Sequence, residues 1–262
     1  MFFWYILMFI KMSYALIKCK AGATGQSQGG NVPNHHPIDM ETHLRCAALF
    51  NGLAPRQISA IAKGAREVRC KKGDMLFYRG DPCSGFHIVA IGQIKLFFIS
   101  PQGVEKVVEV IKQGQSFGEA IMFLDKPYVV SAQALNDCLL LHVPKAAIFS
   151  ELERDHGFGR KMLGGLAMRT HQLMLDVEGY SLFSGKQRII GYLMHEIPEA
   201  EHGRDDVLIE LPVTKGVIAS RLNLTQEHFS RILHELSDQG LIHVEGKRIR
   251  IPSVRELKAQ SE

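Results

Sequence analysis

The sequence predicts an α+β fold: an antiparallel β-roll, then one long helix, then a winged helix-turn-helix. Many short strand-like segments separated by glycine turns predict the roll. Apolar residues at alternating spacings of three and four predict the long helix. A capped amphipathic helix followed by two short strands predicts the winged helix-turn-helix. We expect these three parts at residues 40–154, 155–182 and 183–262.

The composition is that of a globular protein. Its 262 residues suit one or two domains, and 46% hydrophobic and 22% charged residues are ordinary proportions. The net charge of +4 is only mildly basic, so nucleic-acid binding has to be argued from the placement of cations. The five cysteines are scattered without a Cys-x-x-Cys pair, so we expect reduced thiols, a cytoplasmic protein and no zinc site.

Residues 1–39 do not share the pattern of the rest. The first ten residues are apolar, but a span of a bilayer needs roughly 20. They also lack the preceding positive region and small-residue cleavage site of a signal peptide. Residues 21–37 are rich in Gly, Ser, Gln, Asn and Pro, which predicts disorder. We expect the native protein to start at Met40 and to have no membrane contact, with a membrane anchor as the alternative.

From Met40 to Glu153 the pattern changes from helices to strands. Short helices are predicted over residues 45–66, with a break at Pro55. From Val68 onward, short apolar segments alternate with turns, which is typical of an antiparallel barrel or roll. The turns are expected at Gly73, Gly80, Gly85, Gly92, Gly103, Gly114 and Gly118.

The long helix carries a coiled-coil seam. Its spacings of 3, 4, 3, 4 and 3 keep one stripe of side chains facing a partner helix, which predicts a homodimer. The alternative is a helix that packs only on its own roll, a contact that off-seam residues such as Met162 and Met168 can make. The seam residues are Leu163, Leu166, Thr170, Leu173, Val177 and Tyr180.

The segment from Thr225 to Leu236 has the features of a recognition helix. The Thr225 hydroxyl can cap the N-terminus by accepting a backbone N–H. Phe229, Leu233 and Leu236 fall at i, i+4 and i+7, so one face is apolar and the opposite face is free. Side chains near the front of such a helix reach base edges in the major groove.

The neighbouring segments complete a helix-turn-helix. A short helix is predicted over residues 215–222, and Asn223 suits the turn because asparagine tolerates a positive φ. Gly240 is a helix stop. The acidic stretch over residues 199–206 is expected to be a solvated loop.

Two short strands follow and predict a β-wing. They are expected over residues 241–244 and 248–251, joined by a tight turn. The cations Lys247, Arg248 and Arg250 lie near its tip. Because the cap, turn, apolar face and wing occur in this order, we predict DNA binding. The alternative is an ordinary helical hairpin followed by a β-hairpin.

The pattern Glu227-x-x-Ser230-Arg231 resembles that of the FNR-like branch of the CRP/FNR superfamily of bacterial transcription regulators. The resemblance implies that Arg231 pairs with a guanine, Glu227 accepts from a cytosine amino group and Ser230 packs beside a thymine. It also implies inverted repeats close to TTGAT or TTGAC, bound by a homodimer that works with RNA polymerase. Further DNA contacts are expected at Thr225, Gln226, His228, Lys247 and Arg248.

Residues 72–119 resemble the cyclic-nucleotide-binding β-roll of the same superfamily. In nucleotide-binding members an Arg follows the Gly-Glu pair and meets the cyclic phosphate. Here residues 120–132 contain no Arg and Lys126 is their only cation, so we do not expect cyclic AMP. The resemblance places the effector pocket at Phe117, Gly118, Glu119, Met122 and Phe123.

Two other effector chemistries follow from the resemblance. An iron–sulfur cluster needs four thiolates, and only Cys46 lies near the corresponding region, so none is expected. Residues 117–123 and 227–236 resemble the Dnr/Nnr-type regulators of denitrification, which respond to nitric oxide through haem. That resemblance implies haem and the activation of nitrogen-oxide respiration genes. The axial-ligand candidates are His87, His142, His156 and His171. Of these we prefer His171, on the dimer helix.

The motifs of enzymes are missing from the sequence. It contains no nucleophile elbow, P-loop, metal-ligand spacing or paired-carboxylate motif, so we do not expect an enzyme. Two alternatives to nitric-oxide sensing stay open. One is a CRP/FNR-type regulator that senses another small ligand or thiol redox state. The other is a regulatory subunit with a cyclic-nucleotide-binding-like roll.

Overall fold

The computed structural model describes residues 39–50, 52–198, 201 and 204–260. Over these residues the chain forms two compact units. The first unit takes in residues up to 98 and residues 109–172, and the second takes in residues 99–108 and those from 173 onward. The predicted extension over residues 1–39 lies outside the described residues except for Asp39. Within the described ranges, no helix is long and apolar enough to cross a membrane.

Two four-stranded sheets form the predicted roll. Their strand orders are β1-β8-β3-β6 and β2-β7-β4-β5. Strand β8 pairs antiparallel with both β1 and β3, and β7 pairs antiparallel with both β2 and β4. The antiparallel roll expected from the sequence is therefore confirmed. The strands are β1 (Arg66–Cys70), β2 (Met75–Phe77), β3 (Gly85–Ile91), β4 (Ile94–Ile99), β5 (Glu105–Ile111), β6 (Ser116–Phe117), β7 (Ser131–Ala134) and β8 (Cys138–Pro144).

Alternation along the strands divides the apolar residues of the roll into two clusters. We call the first the helix-side cluster; it includes Leu44, Phe50, Ile58, Ile61, Phe86, Ile88, Met122, Leu139, Leu141, Phe158 and Met162. We call the second the inner cluster; it includes Phe77, Val89, Ile94, Ile111, Phe117, Tyr128, Cys138 and Leu140. Each fully buried large apolar side chain contributes roughly 1.5–3 kcal/mol, so both clusters stabilise the roll.

Five helices of the described residues belong to this part of the chain. The Asp39 carboxylate caps the first of them by accepting the backbone N–H of Thr42 at 3.3 Å. Phe158 and Met162, in the first turns of the last, are buried in the helix-side cluster. The contact of Met162 with the roll was expected from the sequence, and that of Phe158 was missed. The helices are α1 (Met40–Cys46), α2 (Pro55–Gly64), α3 (Glu119–Leu124), α4 (Lys145–Arg154) and α5 (His156–Leu182), and a 3-10 turn covers Ala48–Phe50.

The C-terminal part is a helix-turn-helix with a small sheet of order β10-β11-β9. The prediction of a solvated acidic loop over residues 199–206 is wrong at its end. Asp205 and Asp206 begin β9, which pairs with β11 so that Ile209 lies opposite Ile249. The elements are α6 (Gly185–Glu196), β9 (Asp205–Glu210), α7 (Lys215–Arg221), α8 (Gln226–Asp238), β10 (His243–Glu245), β11 (Arg248–Ser253) and α9 (Val254–Ala259).

Candidate nucleic-acid interface and effector site

Helix α8 has the cap and the buried face that the sequence predicts. Thr225 is its N-cap, and the Thr225 hydroxyl accepts the backbone N–H of His228 at 3.2 Å. Phe229, Leu233 and Leu236 are buried, and so is Ile232. The helix is therefore fixed along one face and presents the other outward.

The outward face of α8 carries the residues predicted to meet bases. Glu227, Ser230 and Arg231 are all exposed. The Arg231 Nε lies 3.9 Å from the Glu235 carboxylate one turn further on, and 68% of the Arg231 side chain is exposed. Such an exposed pair is weak, so it leaves the guanidinium available for a stronger bidentate partner.

The other predicted contacts on α8 differ in their exposure. Thr225 and Gln226 are exposed at the front of the helix. His228 is half-buried, and its Cε1 lies 3.4 Å from where a Cβ on Gly185 would be. Its ring therefore lies against the start of α6.

The turn before α8 depends on a residue that the sequence analysis missed. Asn223 has the predicted positive φ, at 58°. The Arg188 Nη1, from α6, donates to the backbone carbonyls of Leu222 at 2.6 Å and of Asn223 at 3.4 Å. These carbonyls lie past the end of α7, where no helical N–H can satisfy them. Arg188 carries no motif or spacing that would single it out in the sequence.

The wing presents fewer free cations than the sequence suggests. Gly246 forms its tip with a φ of 62°, and Lys247 and Arg248 beside it are exposed. Arg250 is paired with Asp206, with Nη2 to Oδ2 at 2.8 Å and a second contact from Nε. Their hydrogen bond lowers the pKa of the Asp206 carboxyl and raises the pKa of Arg250. The Arg250 guanidinium thus already has a bidentate partner within the wing sheet.

Three of the five predicted pocket residues belong to the two apolar clusters. Phe117 is in the inner cluster, whereas Met122 and Phe123 belong to the helix-side cluster. The division follows from Gly118, whose φ of 93° turns the chain from β6 into α3. That these five residues line one effector pocket stays a prediction.

Glu119 is a buried carboxylate with one satisfied oxygen. It is 7% exposed, and its Oε1 accepts from the Ser116 hydroxyl at 3.0 Å. Its Oε2 has no hydrogen-bond partner within the described part of the chain. Burial raises the pKa of Glu119, because an ionised carboxylate is costly away from water.

A pair of histidines lies inside the roll, on opposed strands. His87 and His142 face each other across β3 and β8, with His142 Nδ1 at 3.2 Å from His87 Nε2. The His142 Nε2 lies 3.5 Å from the Ser84 hydroxyl. The His87 Nδ1 is buried and has no partner among the described residues. Burial, and then His142 and Arg66, lower the pKa of His87 to about 3, so its ring is neutral at ordinary pH.

Aromatic side chains surround this pair. The His87 ring stacks on Phe117 with ring centres 5.3 Å apart, and Phe77 lies 6.2 Å from it. Phe77 in turn stacks on Tyr128 at 3.6 Å. The lone pair or N–H of His87 Nδ1 therefore faces an apolar, aromatic interior.

Most of the predicted seam residues on helix α5 are exposed. Leu163, Thr170, Leu173 and Val177 are exposed, and Leu166 is half-buried. The side chain of Tyr180 lies outside the described residues. Leu163 is 69% exposed and Val177 is 62% exposed, which is unusual for large apolar residues on one helix.

The predicted haem ligand His171 is exposed on α5. The side chain of the other candidate on this helix, His156, lies outside the described residues. His87 and His142 are the two candidates that the structure brings together and buries.

Comparisons with known proteins agree with this architecture. The family described as "Cyclic nucleotide-binding domain" matches residues 67–155, and "Crp-like helix-turn-helix domain" matches residues 187–260. Together with the exposed face of α8, these matches define a DNA-binding transcription regulator with a nucleotide-binding-like sensor domain. The chain belongs to the CRP/FNR family, whose members regulate transcription and are not enzymes.

The individual relatives are distant but cover most of the chain. The chain is 22% identical to the "Cyclic AMP receptor protein" of Thermus thermophilus, over 77% of this chain and 90% of that protein. It is 25% identical to the "Anaerobic regulatory protein" of Pasteurella multocida, over 94% of this chain and 89% of that protein. The solved structure of FixK2 from Bradyrhizobium japonicum has a TM-score of 0.65 at 19% identity, covering 76% of this chain and 98% of that one. At that identity the likeness shows the fold alone.

Proposed function

We propose that this regulator binds, as a homodimer, inverted repeats close to TTGAT or TTGAC. The observation that carries the proposal is the exposed row of Glu227, Ser230 and Arg231 on a helix whose opposite face is buried. A guanidinium matches the O6 and N7 acceptors of guanine, and a carboxylate matches the N4 amino group of cytosine.

The proposed dimer uses the seam on α5. Exposed Leu163, Leu173 and Val177 have no cover within the described part of the chain, and burying a large apolar side chain contributes roughly 1.5–3 kcal/mol. Two-fold pairing of α5 would present two copies of α8 to half-sites about one DNA turn apart, roughly 34 Å. The dimer then acts on RNA polymerase at the promoters it occupies.

This part of the proposal is tested with the full chain and a panel of duplexes. We expect tight binding to a palindrome with two TTGAT half-sites, and a loss of roughly 1–3 kcal/mol for each changed guanine. A duplex with one half-site scrambled should bind far more weakly, because half of the base contacts are lost. Equal affinity for a palindrome and for random DNA at the same salt concentration would overturn the proposal.

For the effector, the proposal is a neutral gas, nitric oxide, bound at haem, with nitrogen-oxide respiration genes as targets. The chemistry inside the roll supports it. No arginine stands between residues 120 and 132 to pair with a cyclic phosphate. His87 supplies a neutral, buried ring nitrogen without a partner among the described residues, which is the kind of donor that haem iron takes from histidine.

Of the histidine candidates, His87 fits this role better than His171. Haem supplies an iron atom that binds nitric oxide. The residues of the chain supply the ring nitrogen of His87, its orientation by His142, and the aromatic surroundings of Phe117 and Phe77. His171 is exposed, whereas His87 is buried.

An absorption spectrum separates these assignments. The full chain is purified without air, titrated with haem and then exposed to nitric oxide. We expect a Soret band at one haem per subunit that shifts with nitric oxide, is lost in His87→Phe and is kept in His171→Ala. Loss of the Soret band in His171→Ala but not in His87→Phe would identify His171, on α5, as the haem ligand. No specific haem uptake would overturn the effector proposal and leave the DNA-binding assignment unchanged.

A further inference from the structure

Two cysteines lie directly opposite each other in the roll. In the register of β1 with β8, Cys70 is the Cα partner of Cys138. Directly opposed residues of an antiparallel pair point to the same face, with Cα atoms roughly 4.5–5.5 Å apart. That range lies within the roughly 4.4–6.8 Å that a disulfide spans. The backbone therefore already holds these two residues at bonding distance.

Both side chains face the same interior. Cys138 is buried in the inner cluster, and Cys70 is half-buried and packs against that cluster. Neither forms a disulfide in this structure. The two cysteines thus lie opposite each other and on the same face of the sheet, and a disulfide requires both arrangements.

In this structure the Cys138 thiol contacts backbone carbonyl oxygens rather than Cys70. Its Sγ contacts the carbonyl oxygens of Asn136 at 3.1 Å and of Gln93 at 3.3 Å. Gly92 allows this position, because a Cβ there would lie 2.6 Å from the sulfur. Rotation about the Cα–Cβ bond of Cys138 would exchange the two carbonyl contacts for a bond to Cys70.

We propose that Cys70 and Cys138 are a redox site that closes to an intramolecular disulfide when a peroxide oxidises it. The more exposed Cys70 attacks first: its sulfur bonds to one peroxide oxygen, the O–O bond breaks and one water leaves. The Cys138 sulfur then attacks the resulting sulfenic acid, the S–S bond forms, the S–O bond breaks and a second water leaves. Two thiols lose two electrons and hydrogen peroxide accepts them.

The surroundings make this a slow, selective reaction. Burial, the Cys138 thiol and Asp74 raise the pKa of Cys70, and burial and Asp137 raise the pKa of Cys138. Both thiols are therefore protonated at neutral pH and attack peroxide more slowly than a thiolate would. Their proximity, rather than their acidity, selects this pair.

Closure would change the turn between β3 and β4. The Gln93 carbonyl would lose its contact with Cys138 Sγ. The Asn136 side-chain oxygen would lose its contact with the same sulfur, at 3.5 Å. That oxygen also accepts the backbone N–H of Gln93 at 2.8 Å. The roll would thus have a covalent input, a disulfide between β1 and β8, in addition to any ligand bound in its interior. This inference does not depend on the proposed function.

The test uses the reduced full chain, a several-fold excess of hydrogen peroxide, and alkylation of the remaining thiols under denaturing conditions. Of the five cysteines, the oxidised protein should lose two alkylation sites, and reduction should restore both. The Cys70→Ser variant should lose no pair of sites. The matched variant Cys83→Ser, which removes another half-buried thiol of the roll, should behave like the unaltered chain.

Peptide mapping decides the pairing. A linked peptide containing Cys70 and Cys138 is the expected result. A link from either residue to Cys83, a linked pair surviving in Cys70→Ser, or oxidation that reduction cannot reverse would overturn the proposal. Because Cys70 is half-buried, Cys70→Ser should still fold; Cys138→Ala repeats the test from the other side of the pair.

Discussion

The Arg188 Nη1 lies 2.6 Å from the backbone carbonyl oxygen of Leu222 and so joins the first helix of the DNA-binding domain to the turn of its helix-turn-helix. The same nitrogen also reaches Asn223, the residue with positive φ in that turn. This charged donor, on two carbonyls past a helix end, joins the turn between α7 and α8 to α6.

Replacing Arg188 should loosen this turn. We expect Arg188→Met to lower the free energy of unfolding by roughly 1.5–3 kcal/mol, the usual range for a hydrogen bond to a charged group. Urea unfolding followed by circular dichroism measures the change. Arg188→Lys keeps the charge and one donor, so it should lose less. Equal stability of the Met variant and the unaltered chain would mean that the contact does not contribute.

Replacing Arg231 should change which DNA sequence is preferred. Arg231→Ala is expected to cost roughly 1–3 kcal/mol of binding free energy on the guanine-containing half-site and to relax the preference for that guanine. Fluorescence anisotropy on matched and substituted duplexes measures both. Arg255→Ala, at an exposed arginine on α9, is the control and should leave the preference intact. An equal loss on every duplex would instead identify a phosphate contact.

Replacing Leu173 should break the dimer. Leu173 is 45% exposed on the α5 seam, and a carboxylate there would face its own copy across the two-fold axis. We expect Leu173→Glu to be a monomer by sedimentation, with little affinity for a palindrome. Met168→Glu is the matched control, because Met168 is similarly exposed at 43% but lies off the seam. If both variants stay dimeric, α5 is not the interface.

The buried histidine pair predicts a pH dependence of stability. The pKa of His87 is about 3 in the folded chain and about 6.5 unfolded, so the unfolded state takes up the proton as pH falls below 6.5. Stability should therefore fall by about 2 kcal/mol between pH 7 and pH 5 through this group alone. The raised pKa of Glu119 acts in the opposite direction, because the folded chain takes up that proton at a higher pH than the unfolded chain does.

The variant His87→Phe isolates that contribution. Phenylalanine has a similar shape, suits the stack on Phe117 and has no proton to gain. Urea unfolding at pH 7 and at pH 5 should show a smaller difference in the variant than in the unaltered chain. An identical difference in both would mean that His87 takes up its proton without unfolding the roll.

Local periodicity and turn chemistry were enough to predict α8. Thr225, Phe229 and Asn223 each act within a few residues of themselves, through a cap, a buried face and a positive φ. The contacts of Arg188 with Leu222, of Arg250 with Asp206 and of His87 with His142 could not be predicted in this way. They join residues 34 to 55 positions apart, and they depend on strand register and helix packing.

The effector pocket shows the same limit. The Phe117-Gly118-Glu119 motif identified the position where β6 meets α3, but not which cluster each neighbour joins. Gly118 turns the chain so that Met122 enters the helix-side cluster. The glycine spacing predicted a turn at Gly118. The direction of that turn depends on how the strands of the whole roll pack, which the local sequence does not show.

The ion pair between Arg250 and Asp206 also sets how the wing responds to salt. A cation that neutralises a DNA phosphate releases counterions, and each such contact adds roughly 0.9 to the slope of log affinity against log salt. Because Arg250 already has the Asp206 carboxylate as a bidentate partner, we expect Lys247 and Arg248 to contribute more to this exchange than Arg250 does. We therefore expect weaker binding to DNA of any sequence, with a larger share of the affinity left to the base contacts proposed for α8.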